Sequence, residues 1–241
     1  MPGTTASSLR YPPSAGIGHL LLATLLFIAA MVLLTRGGDR WWADQLYALE
    51  GGQWRYRDVW WTSQLLHAGG KWLSVGAGLA VAIGLAVAWH RPALAHWRRP
   101  LAYLLLSVAL STALVSLIKS ASALDCPWDL ARYGGHHPWL SLAQAWRAHG
   151  PSSGCFPAGH ASAGYAWIAL YFLAAARAPQ WRWPALLLAL ALGGVFGLAQ
   201  QLRGAHFASH DLASLALCTL CAWALARWLL SSNPARPAIN A

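Results

Sequence analysis

Six apolar runs divide the chain, at 16–35, 72–88, 101–118, 160–176, 184–202 and 212–230. A bilayer crossing needs roughly 20 apolar residues in a helix, so each run is expected to be one transmembrane helix. The first run is too long for a signal-peptide core, and no small-residue cleavage site follows it before Arg36. It is therefore expected to stay as a spanning helix. Between the first two runs, the Trp-rich stretch from Asp39 to Gly70 predicts one or two amphipathic helices lying in the outer interface.

Composition agrees with a membrane location. The 241-residue chain is 57% hydrophobic and 10% charged, whereas a soluble domain carries about 25% charged residues. The sequence thus predicts an all-α integral membrane protein of one domain, with six transmembrane helices and periplasmic interfacial helices in the first outer loop. Its expected parts are a cytoplasmic N-terminal tail at 1–15, the six-helix unit at 16–230 and a cytoplasmic C-terminal tail at 231–241.

Charge sets the expected orientation. The net charge of +10 invites a nucleic-acid reading, but the basic residues sit singly at the ends of apolar runs, where they anchor helices at the interface. No nucleic-acid partner and no obligatory protein partner are expected. The short loop 89–100 carries Arg91, Arg98 and Arg99 with no acid, which marks it as cytoplasmic. The loop around Pro179 to Arg182 agrees. An even number of crossings then puts the long 119–159 connection on the outer side. Cys126 and Cys155 lie in that connection, where an oxidising compartment permits a disulfide between them. Cys218 and Cys221, in the last run, read as small packing residues.

Ionisable groups at the edge of a bilayer are costly and are functional candidates by default. Three clusters qualify: Lys119 at the end of the third run, "PAGH" (Pro157 to His160) opening the fourth, and "QQLRGAHFASHD" (Gln200 to Asp211) between the fifth and sixth. All three fall on the outer face and so can converge. His160 opens a helix whose free N–H groups favour an anion, and Gly159 lets the backbone approach it. Lys119 and Arg203 add positive charge. His206 and His210, spaced i, i+4, could instead join His160 or Asp211 in a zinc set. The Lys and Arg charges would repel a dication but suit a phosphate, so no metal and no other cofactor is expected.

The order Lys, then Pro-x-Gly-His at a helix start, then Gly-Ala-His with an acid after it, resembles the type 2 phosphatidic acid phosphatase family over about 16–230. That family carries K-x6-R-P, P-S-G-H and S-R-x5-H-x3-D. Here Cys126 stands where Arg precedes Pro127, Ala158 replaces Ser, and Ala199 and Gln200 replace Ser-Arg. Arg203 follows one turn later. His210 takes the place of the acid, and Asp211 follows it.

The resemblance implies a metal-independent membrane lipid phosphatase acting on a lipid phosphate or diphosphate. It also implies a site on the periplasmic face of a bacterial inner membrane. His206 would form a phosphohistidine and His160 would protonate the leaving oxygen. Lys119, Arg203 and Gly159 would hold the phosphate, and Arg132 could replace the charge lost at Cys126. Either His210 or Asp211 could orient His206, and only Asp211 brings a negative charge. A lipid-phosphate transferase and a non-catalytic lipid-phosphate binding or transport protein remain alternatives on the same scaffold.

Overall fold

The computed structural model describes residues 17–148 and 153–231. The tail expected at 1–15 lies outside them, as does the tail expected at 231–241 apart from Ser231. Among the described residues the protein is helical, without a β-strand ladder. The α-helices are α1 (Ile17–Leu33), α2 (Asp39–Leu49), α3 (Gly70–His90), α4 (Arg98–Ala121) and α5 (Leu142–Ala148), followed by α6 (Gly159–Tyr165), α7 (Ala169–Arg177), α8 (Arg182–Leu202) and α9 (Ala208–Leu229).

Four helical stretches are long and apolar enough to cross a membrane: Trp61–His90, Pro92–Ala121, Pro179–Leu202 and Ala208–Leu229. Two of the six expected crossings have a different form. The first is the 17-residue α1. The fourth is divided, because a 3-10 turn at Ala166–Ile168 separates α6 from α7. The second crossing begins earlier than its apolar run, since a π-helical stretch at Trp61–Gly69 leads straight into α3. Among the described residues, α2 is therefore the one separate helix between the first two apolar runs. It buries Ala43 and Leu46 while leaving Trp41 and Leu49 exposed.

Large apolar side chains such as Leu33, Leu79, Leu117 and Leu187 are exposed around the bundle. That is the surface a hydrocarbon solvent demands and water would penalise. Without a hydrophobic drive between helices, close packing depends on small residues and buried polar links. At the α6–α8 crossing, a Cβ on Gly164 would run into the backbone of Gly193, and one on Gly193 would run into the Tyr165 ring. The fully buried Tyr103 hydroxyl lies 3.2 Å from the Ala169 carbonyl and 3.1 Å from that of Ala222, so α4 is fixed against α7 and α9.

Two loops expected on the inner side meet at one end of the bundle, where Arg177 Nη2 donates to the His96 carbonyl at 2.8 Å. The long connection lies at the other end. It folds into two 3-10 turns and α5, and it is closed by the Cys126–Cys155 disulfide, as the sequence suggested. Cys218 and Cys221 are free and buried. The cross-link spans 29 residues, a loop whose closure is worth roughly 3–4 kcal/mol on a chain-entropy estimate. A Cys126→Ser/Cys155→Ser variant, or the native protein in reductant, is expected to melt several degrees lower. Unchanged melting would show that the connection does not need its staple.

A second prediction concerns the helix crossing. Gly164→Leu is expected to destabilise the folded protein strongly, because the side chain would push α6 from the α8 backbone. Thermal melting in detergent measures the loss.

Candidate active site

Lys119 sits in the last turn of α4, and its Nζ lies 3.5 Å from where a Cβ would stand on Gly159. The absence of a side chain there lets the ammonium reach the start of α6. Lys119, Gly159 and His160 then line one cavity of about 450 Å³ with Lys71, Ser74, Val108 and Thr112. The cavity runs between α3, α4 and α6, from the charged rim to Gly78 and Leu105. Lys119 and Leu105 are fourteen positions apart on one helix, about 21 Å at 1.5 Å per residue.

The His206 ring lies behind this rim. The Lys119 charge acts on it, and the rings of His210 and His160 lie close enough to interact with it. Its ring centroid is 5.7 Å from that of His210, edge to face. His206 is buried, and burial pushes its pKa well below the ordinary 6.5 of a free imidazole. The ring is thus neutral at pH 7 and keeps a lone pair on one nitrogen.

Local sequence explains how the His206 loop is held. Asp39, at the start of α2, accepts the Ser209 N–H at 2.9 Å and so caps α9 from a distant segment. The Ala158 N–H donates to the His210 carbonyl at 3.2 Å, and Ser214 Oγ donates to the Ala158 carbonyl at 2.9 Å. These two bonds stitch the approach to α6 onto the first turn of α9, fixing His160 relative to His206. Gly204, with φ +71°, turns the chain beneath the Trp54 ring, where a Cβ would collide.

Arg203 is buried, with Nε donating to the Arg57 carbonyl at 2.6 Å and Nη1 to Gln200 Oε1 at 3.2 Å. Gln200 stands where the family motif has Arg, so the displaced guanidinium leans on the side chain that replaces it. Five of the expected residues, Lys119, Gly159, His160, Arg203 and His206, therefore gather at one end of the bundle.

Two others do not. Asp211 accepts a short hydrogen bond from Gln201 Nε2 and lies against Gly197, so its carboxylate faces α8. The His206 ring bonds to the Cys155 backbone and not to this carboxylate. His206 precedes α9, and the first turn of that helix directs the Asp211 carboxylate to Gln201 and Gly197 on α8. Arg132 is the other correction. Its exposed guanidinium makes a bidentate pair with Asp44 on α2, at 2.7 Å for each bond, and serves the outer-loop packing.

The sequence reading also missed His67. Its ring stacks on His160, centroids 3.5 Å apart at 27°. The residue lies in a stretch that reads as interfacial, and the available signal was its i, i+4 spacing to Lys71 at the start of the second run. As for a metal, among the described residues the group of three or more potential ligands within reach of one another is Cys126, Asp129 and Cys155. Its two thiols are consumed by the disulfide.

The buried His206 makes stability depend on pH. Above about 6.5 the ring is neutral in both folded and unfolded chains. As pH falls below that value the unfolded chain takes up a proton that the folded one refuses, so stability declines until the lower folded pKa is reached. His206→Gln is expected to flatten part of the fall in melting temperature between pH 7.5 and 5.5, and an identical slope would contradict this. Asp211→Asn, by contrast, is expected to cost phosphoryl-transfer rate no more than about tenfold, less than the 10²–10⁴ typical of a lost acid or base.

One comparison bears on this arrangement. No curated protein and no solved structure gives a match. The family model for the PAP2 superfamily matches residues 100–234, which include Lys119, His160, Arg203 and His206. That match covers more than half of the chain, so the protein belongs to the PAP2 superfamily, whose activity is in general that of a phosphatase.

Proposed function

We propose that the protein is a six-span bacterial inner-membrane lipid phosphatase, with its site at the periplasmic face and a lipid phosphate or diphosphate as substrate. The observation that carries this reading is the single cavity joining Lys119, Gly159 and His160 at a charged rim to Val108, Ala109 and Leu105 along the helices. A polar head and an apolar tail fit its two ends. The Arg-rich loops at the opposite end support the orientation.

In the proposed reaction the neutral His206 imidazole attacks phosphorus in line, and the P–O bond to the leaving group breaks. His160 gives that oxygen a proton. Water then attacks the phosphohistidine, His160 takes the proton back, and orthophosphate leaves. Lys119 and Arg203 stabilise the charge spread over the phosphoryl oxygens. Because both cations already occupy the place of a Lewis acid, no step calls for a metal.

Purified protein is expected to release phosphate from lipid phosphates, and His206→Ala is expected to lower that release by roughly a thousandfold or more. Full release by His206→Ala would remove the assignment. Retained lipid binding without release, in the wild type, would point to a non-catalytic role. EDTA is expected to leave the activity unchanged, and abolition by the chelator would count against the scheme.

A further inference from the structure

The rim holds more positive charge than one phosphoryl group needs. Lys119 and Arg203 already match the charge of about −2 on a phosphate monoester. Lys71 adds another cation, on the wall of the cavity that Lys119 and His160 also line. His67 lies one helical turn before Lys71, on the same face, and its ring covers His160. The Gln200 side chain, which also accepts from Arg203, lies beside the His67 ring and bonds to it, so this corner ties His67, Gln200 and Arg203 together.

Position along the cavity says which part of a substrate the added charge of Lys71 would meet. From the rim inwards, the α3 side of the cavity presents Lys71, then Ser74, then Val75 and Gly78, passing from charged to polar to apolar, with His67 one turn before Lys71 in the π-helical stretch. His160, which protonates the leaving oxygen in the proposed reaction, sits where the charged part of this face begins. The surplus charge is therefore on the leaving-group side, between the attacked phosphorus and the tail.

We infer that His67 and Lys71 form a second phosphate subsite, and that the substrate is a lipid diphosphate cleaved at its terminal phosphoryl group. This deepens the proposed phosphatase function and rests on it. His206 bonds to the terminal phosphorus, the bridging P–O bond breaks, and the lipid monophosphate departs with its charge held by Lys71 and His67. His160 supplies one proton to the bridging oxygen and recovers one from the attacking water, so the sum is diphosphate plus water giving monophosphate plus orthophosphate. Lys71 and His67 act as binding residues for the phosphate that stays on the lipid.

The test compares kcat/KM of the purified full-length protein for farnesyl diphosphate, farnesyl monophosphate and inorganic pyrophosphate. The wild type is expected to favour farnesyl diphosphate over the monophosphate by about tenfold, the scale of one charged hydrogen bond. Lys71→Gln and His67→Asn are expected to shrink that ratio about tenfold, and Lys71→Arg to keep it. An unchanged ratio in Lys71→Gln, or a wild type indifferent to the second phosphate, would overturn the subsite. Pyrophosphate cleaved as well as the farnesyl compound would overturn the lipid part of the claim.

A turnover-free arm separates this inference from the function beneath it. Calorimetry on His206→Ala should find methylenediphosphonate bound more tightly than methylphosphonate, and the difference lost on adding Lys71→Gln. If that holds while the wild type hydrolyses nothing, the subsite stands and the phosphatase reading falls. If no binding preference exists, the subsite falls even when phosphate is released.

Discussion

Several groups that could carry positive charge are crowded at one end of an apolar bundle, and the rest of the molecule is arranged around that crowding. Lys119, Lys71 and Arg203 repel one another, and each loses solvation as it nears the bilayer. The three imidazoles of His67, His160 and His206 sit among them. Such a set persists when part of it is neutral and the rest is tied down. Burial keeps His206 neutral, and Arg203 is tied to the Arg57 carbonyl and to Gln200. What remains is a field that a dianion entering from the membrane would relieve.

Holding that field in place explains why so much of the chain lies outside the apolar core. The loop bearing His206 is gripped by Asp39 through Ser209, by Trp54 over Gly204, and by the Trp128 N–H on the Gly204 carbonyl at 2.9 Å. Each grip comes from a segment that no apolar run predicts. The disulfide acts on the other side, holding Cys155 next to the turn that delivers His160. Cutting any one of these would loosen the His206–His160 geometry without touching a reacting atom, and errors of about 1 Å in such geometry are costly.

The apolar runs were legible because the bilayer imposes length and composition on each crossing. The cysteine pair was legible because it shared one outer loop. Helix breaks were not: the turn at Ala166–Ile168 and the extension of the second crossing back to Trp61 leave the local composition almost unchanged. Lys119, Gly159, His160 and Arg203 stand out in the sequence because each ends or opens an apolar run, and His206 because it lies in the short polar link between two runs. That Asp211 faces α8 could not be read from the sequence, because a one-residue offset on a helix turns a side chain by about 100°. That Arg132 pairs with Asp44 could not be read either, because the two lie 88 residues apart in sequence. His67 was hidden because its meaning depends on a ring, His160, that only the folded bundle brings to it.

The central claim is covalent, and trapping tests it most directly. Purified protein mixed with a lipid phosphate carrying radiolabelled phosphorus, then quenched within the first turnover, should hold an acid-labile, base-stable label on His206. His206→Ala should hold none. Steady release of phosphate with no labelled protein at any time, or label that persists in His206→Ala, would contradict the assignment of that imidazole as the nucleophile.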